Sequence, residues 1–139
     1  MTHDQLIRTW FAEVWNSGNE AVIDQLMAPD AIAHGLPSEN GAPILGPEGF
    51  KPFFRTFRNA FPDIRVEVLR TVTEGDTVCA HCRVTGTHHG PGVGPVISGN
   101  AIDFKGMAMV RIADGQIREA WNSFDFLSLY QQIGLAPVF

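Results

Sequence analysis

Apolar residues recur every three to four positions through the first sixty residues and every second position afterwards, and this change of period divides the chain. Leu6/Ile7, Trp10/Phe11 and Val14/Trp15 repeat on a four-residue beat, which predicts an amphipathic helix over 4–16. Asn16-Ser17-Gly18-Asn19 breaks it, with Gly18 suited to a C-terminal cap. A second, short helix carries Ala21, Val22, Ile23, Leu26 and Met27 and stops at Pro29-Asp30. Ala31-Ile32-Ala33-His34 reads as a short strand in which Ile32 and His34 share a face, and the Gly- and Pro-rich stretch Gly35 to Gly46 as a surface loop. Residues 47–61 place Phe50, Phe53, Phe54, Phe57 and Phe61 at helical spacing, with Pro47 and Glu48 fitting a first turn. A phenylalanine stripe of this kind is core that can also line a pocket.

From Ile64 the period is two. Ile64, Val66 and Val68 alternate with Arg65 and Glu67 up to a turn at Glu74-Gly75-Asp76. The next strand sets Val78, Ala80, Cys82 and Val84 on one face, so that Gly86 and His88 follow inward, while His81 points the other way. Gly90 to Pro95 is an irregular hairpin loop without the strand-to-helix setting of a phosphate cradle. The strand Ala101 to Ile112 turns Ile102, Phe104, Ala108, Val110 and Ile112 to one side and Met107 and Met109 to the other. The last strand begins at Asp114-Gly115, and Phe126, Leu127, Leu129, Tyr130 and Ile133 form a terminal helix. Helices first and long antiparallel strands after them predict a single α+β domain over 1–139, a curved antiparallel sheet whose concave face is roofed by the N-terminal helices. An apolar pocket belongs in that concavity.

Composition narrows the partners. The formal net charge is −5 and only two lysines are present, so no basic stripe exists for nucleic acid. No run approaches the roughly 18 apolar residues of a membrane span, and the start lacks the basic and apolar regions of a secretory signal, which suggests a cytoplasmic protein. Cys79 and Cys82 form a C-x-x-C, but in a strand they point to opposite faces and no second pair completes a zinc site, so two reduced thiols are expected.

In the last strand Ile117, Glu119, Trp121, Ser123 and Asp125 share one parity. If that face looks into the pocket, Asp125 is a carboxylate among large apolar residues, its pKa is raised by desolvation, and it is the leading candidate for chemistry. The competing reading makes Asp125 the N-cap of the terminal helix.

These elements, with Trp15-Asn16-Ser17-Gly18, Pro29-Asp30-Ala31-Ile32-Ala33-His34-Gly35, Phe61-Pro62-Asp63, Gly86-Thr87-His88-His89-Gly90 and Gly115-Gln116-Ile117-Arg118-Glu119-Ala120-Trp121 followed by Asp125 and Gln132-Ile133-Gly134, resemble the SnoaL-like polyketide cyclase family of the nuclear transport factor 2-like superfamily. The resemblance covers nearly the whole chain. It implies a small enzyme without metal or organic cofactor. An aspartate in the last strand acts there as general base, removing an acidic C–H proton between carbonyls, and the enolate closes a ring by intramolecular aldol attack. The matching residue is Asp125, and His34 and His88 match the histidines that would polarise a carbonyl or hold its enolate. Trp10, Phe50, Phe54 and Trp121 are expected to shape the pocket for an apolar, carbonyl-bearing ligand.

Three alternatives stand beside this reading. One is a ligand-binding or dimerisation module that keeps the cup without the chemistry. Another is a dehydratase or epoxide hydrolase-like enzyme, for which Asp103 and Arg111 have the wrong parity. The third, a 2-His-1-carboxylate metal set of His34, His88 and Asp125, has no support in local spacing, and no metal is expected. A ketosteroid isomerase would need a tyrosine and a second, protonated aspartate at the site; the one tyrosine, Tyr130, lies in the terminal helix. Met107, Met109, Cys79 and His81 on the far side of the sheet predict a homodimer through the outer face.

Overall fold

The computed structural model describes residues 1–139. The helix predicted at the N-terminus is wound in two ways. α1 (His3–Thr9) opens on a capping box from Thr2 and Gln5, and the next stretch, Trp10–Asn16, is a π-helix. Wider winding brings residues five apart onto one line, so Trp10 and Trp15 both reach Phe50, at ring separations of 5.2 and 6.0 Å. α2 (Glu20–Leu26) follows, then β1 (Met27–His34), a two-residue β2 (Ile44–Leu45) and α3 (Gly46–Ala60). β3 (Arg65–Glu74), β4 (Thr77–Thr87), β5 (Ala101–Ala113) and β6 (Gln116–Phe124) form the long meander, and α4 (Phe126–Gln132) closes the fold.

The strands make one six-stranded curved sheet in the order β2-β1-β6-β5-β4-β3. All neighbours are antiparallel except β1 and β6, which run parallel. The α+β arrangement expected from the pattern is the one found, with three differences: β1 begins at Met27 and so absorbs Pro29-Asp30, which the pattern assigned to a helix end, β2 lies in the stretch read as a surface loop, and β1 joins the otherwise antiparallel sheet parallel to β6. Val78, Ala80, Cys82 and Val84 are buried on the concave face, as are Ile102, Phe104, Ala108, Val110 and Ile112, while Met107 and Met109 are exposed on the convex face. No helix is long and apolar enough to cross a membrane.

One irregularity decides what the concave face displays. Along β5–β6, Ile112 pairs with Ile117 but the adjacent Arg111 pairs with Glu119, so Arg118 is an extra residue, a β-bulge. An extra residue reverses the parity of everything beyond it. Before the bulge Ile117 faces the core. After it, Ala120, Asn122 and Phe124 face inward, and Trp121, Ser123 and Asp125 are exposed. Arg118 itself turns back to the β5–β6 turn, donating to the Ala113 carbonyl at 3.2 Å and pairing with Asp114 at 3.4 Å. That turn is tight because Asp114 and Gly115 both take positive φ, 53° and 72°.

Candidate active site: an apolar cup with one amide

The concavity holds an apolar cavity of about 90 Å³. Its roof comes from Ile7, Trp10, Phe11 and Trp15 of the N-terminal helices and from Phe50, Phe53 and Phe57 of α3; its floor includes Ala33, Val84, Phe104, Ala108, Val110, Ala120 and Phe124. Of the 21 lining residues 20 are hydrophobic, and the exception is Asn122. Small residues on three adjacent strands, Ala33, Ala108 and Ala120, leave the room. Gly106 shapes it as well: a Cβ there would lie 2.3 Å from the Phe124 ring, which takes the space that a side chain would need.

Asn122 is held from one side only. Its Nδ2 donates to the His34 carbonyl at 2.9 Å, which fixes which end of the amide is nitrogen. The backbone is equally close: a Cβ on Gly35 would come within 2.0 Å of the Asn122 carbonyl oxygen, and Gly35 takes φ +80°. The end of β1 is thus locked on β6 at the one polar residue of the cup. Oδ1 and the second N–H have no partner within the chain, and Oδ1 is not among the buried atoms left without one, so it stays accessible to a ligand.

The ionisable candidates are placed elsewhere. Asp125 does not face the cup. It is exposed and N-caps α4, its Oδ1 accepting from the Ser128 amide at 3.0 Å, because the Arg118 bulge moved its parity outward. Trp121 is displaced by the same slip: it is 37% exposed on the convex face. There it stacks on His34, with ring centroids 5.8 Å apart and planes at 18°. His34 is on that face because its neighbour Ala33 lines the cup and side chains alternate. Its Nε2 lies 2.7 Å from Glu119 Oε2, and Arg111 approaches the other Glu119 oxygen at 3.8 Å. Glu119, named in the sequence only for its strand parity and not as a site residue, thus builds an outer-face cluster with His34.

His88 is buried at 1% exposure, as its strand parity expects, but it is not among the residues lining the cup. Its ring packs on Phe61 at 5.3 Å, and Nδ1 accepts from the Ser98 amide at 3.1 Å, which ties the base of the β4–β5 loop. With Nδ1 accepting, the proton of the neutral ring belongs on Nε2, a buried atom without a partner. His34, His88 and Asp125 therefore stand in three separate surroundings. Trp10 and Phe50 line the cup, whereas Phe54 is buried against Trp15, at a ring separation of 5.4 Å, without reaching it. Cys82, fully enclosed, has its thiol pushed up to about 12 by burial, and Cys79 is half-buried and free.

A cone-shaped sheet roofed by helices around an apolar cup defines the nuclear transport factor 2-like fold. Residues 5–133 match the SnoaL-like polyketide cyclase family, and the chain belongs to it. The chain is 27% identical to the aklanonic acid methyl ester cyclase DauD of Streptomyces sp. (strain C5) over 128 residues, 88% of this chain and 76% of that one. It is 26% identical to the cyclase DnrD of Streptomyces peucetius, named for the same ester, covering 96% of this chain and 91% of that one. Among solved structures, IdmH of Streptomyces antibioticus superposes with a TM-score of 0.79 at 29% identity, over 94% of this chain and 97% of its own.

Proposed function

We propose that this protein is a cofactor-free cyclase acting on an apolar, carbonyl-bearing molecule, with Asn122 as the group that meets the reacting oxygen. The observation that carries this reading is the cup itself, in which twenty hydrophobic residues surround a single amide. In a water-poor cavity a hydrogen bond to developing negative charge is worth far more than in solvent. The free N–H of Asn122 can donate to an enolate oxygen, and Oδ1 can accept from an enol hydroxyl. The aromatic walls fold the ligand so that its nucleophilic carbon meets the ketone.

The reaction balances as an isomerisation. The proton on the carbon between two carbonyls is released, that carbon attacks a ketone carbon within the same molecule, and the resulting alkoxide takes up a proton to become a hydroxyl. Water carries the proton, since an amide does not. A role for Asp125 as general base, the reading drawn from family resemblance, would require its carboxylate to leave the Ser128 amide and cross to the other side of β6. The proposed site does not use it, and His34 acts only through its carbonyl, which holds Asn122.

The test is ring closure of aklanonic acid methyl ester, the molecule in the names of the relatives, followed by absorbance with no metal or cofactor added. Turnover in the natural protein and its loss in Asn122→Leu supports the reading; equal turnover in both ends it. A second reading, a ligand-binding module, is favoured by the want of any ionisable side chain in the cup lining. Tight binding without turnover on any 1,3-dicarbonyl substrate would select it. The exposed Met107, Met109 and Trp121 of the convex face support a homodimer as part of the same proposal. Light scattering at micromolar concentration should then give twice the 15.3 kDa chain mass.

A further inference from the structure

Cys79 shares no face with Cys82, but it has other company on the convex side of the sheet. In the register of β4 and β5, Cys79 stands opposite Met109 and His81 opposite Met107. Directly opposed residues of an antiparallel pair share a face with their Cβ atoms about 5 Å apart, and residues two apart along a strand lie about 7 Å apart. A thiol, an imidazole and two thioethers therefore occupy the corners of one small rectangle. Both methionines are exposed, and Cys79 and His81 are half-buried. Neither Cys79 nor His81 is committed elsewhere: Cys79 is a free thiol, and the histidine side chains that hydrogen bond within the chain are His34 and His88. The alternating residues Ala80 and Ala108 are buried on the concave face, so the rectangle is backed by the core.

The surroundings decide which ion fits. Val72 and Arg70 flank the rectangle on β3, and Trp121 and Ser123 flank it on β6. No carboxylate is among these neighbours, and no three His, Cys, Asp or Glu side chains gather into a metal position anywhere in the chain. A hard dication such as calcium or magnesium finds no carboxylate ligand here and meets the Arg70 charge without an offset. Zinc is left with one thiolate and one imidazole, two ligands short of a closed tetrahedron. Thioethers beside a thiolate and an imidazole instead suit copper(I), the soft ion that sulfur ligands select. The flexible stems of Met107 and Met109 let both sulfurs turn toward the thiol.

We infer that Cys79, His81, Met107 and Met109 form a binding site for a soft monovalent ion, copper(I), on the convex face. Binding is an exchange in which the Cys79 thiol gives its proton to water, its sulfur takes the ion, and no electron is transferred. The ion lies on the opposite side of the sheet from the cup, so ring closure does not use it. All four ligands come from one chain, and one ion per chain is expected whether or not two convex faces pair.

An anaerobic titration of the reduced, full chain with copper(I), in competition with the coloured chelator bicinchoninate, tests the site, each variant first being shown to be folded by circular dichroism. The natural protein is expected to hold one ion per chain and, once loaded, to protect Cys79 from a thiol reagent. Met107→Leu/Met109→Leu keeps the apolar bulk and removes both thioethers, and it is expected to weaken binding about tenfold or more, as is His81→Gln. Copper held as tightly by either variant overturns the proposal, because a lone thiol would then account for the uptake. A stoichiometry of one ion per two chains, a loaded protein whose Cys79 still reacts, or no uptake by the natural protein overturns it as well.

Discussion

The two faces of β1, β5 and β6 carry different chemistry within the thickness of one sheet. On the concave side stand Ala33, Ala108, Ala120, Asn122 and Phe124; on the convex side, one position along each strand, stand His34, Met107, Met109, Arg111, Glu119 and Trp121. Every ionisable residue that sequence reasoning favoured in these strands is on the outside, together with Asp125 just beyond β6. The cup keeps a neutral amide. A cavity of this polarity does not ionise a buried carboxylate, with its desolvation cost of several kcal/mol, but offers a hydrogen bond in a medium where it counts. The sorting hangs on the bulge at Arg118, since the same residues paired without it would exchange the two faces downstream.

Deleting Arg118 tests how the two faces come to be sorted. Glu119 would then follow Ile117 directly and keep Arg111 as its partner, so Ala120, Asn122 and Phe124 stay inward, and the expected result is a folded variant that retains turnover; a loss of stability beyond about 4 kcal/mol in denaturant titration would contradict it. Next comes Asn122→Leu, which removes the only polar group of the cup. Turnover should fall about 100-fold or more, while loss of the bond to the His34 carbonyl costs only about 1 kcal/mol of stability.

Asn122→Asp sharpens the contrast through pH. A carboxyl placed among these apolar walls has its folded pKa raised by desolvation above the unfolded value of about 3.9. The sign follows directly: below that value the variant is as stable as the natural protein, and stability declines as pH rises above it, since the folded state resists ionising. Melting temperatures at pH 4 and pH 8 read this out, and a variant more stable at pH 8, relative to the natural protein, would contradict it. A smaller effect is expected at Asp125, where Asn caps about as well as Asp and leaves both stability and turnover close to unchanged, while Ala costs about 1 kcal/mol. Smallest of all is the thiol contrast: at pH 8 a thiol reagent should modify Cys79 and spare Cys82, whose pKa of about 12 and full burial keep it inert, as mass spectrometry of the labelled native protein would show.

Much of this was legible in the sequence, and the miss that matters most for the site originates in the bulge of β6. The helical and strand periods located α3, β3, β4, β5 and α4, and the parity of Val78 to Val84 and of Ile102 to Ile112 put the right residues inside. In β6 the period-two reading carried Ile117 correctly, then continued through the bulge as though no residue intervened, so Trp121 and Asp125 were expected inside and Asn122 was passed over. A signal was present. Ala120, Phe124 and Phe126 share the other parity, and an apolar set that changes parity after Ile117 is what a one-residue bulge leaves behind. His34 was misplaced for a different reason: a strand with Ala31, Ala33, Ile32 and His34 has apolar residues on both parities, and only pairing with β6 shows which faces the cup. The π-winding that aligns Trp10 with Trp15 also has no mark in the four-residue beat, which reads as an ordinary helix.

The most direct measurement compares Asn122→Leu and Asp125→Ala side by side for ring closure of one substrate, each variant first shown to be folded by circular dichroism. The central claim is that the chemistry belongs to the amide inside the cup and not to the carboxylate capping α4. It predicts a loss of about 100-fold or more for Asn122→Leu and turnover within about threefold of the natural protein for Asp125→Ala. A folded Asp125→Ala that has lost its activity, beside an Asn122→Leu that keeps it, would contradict the account.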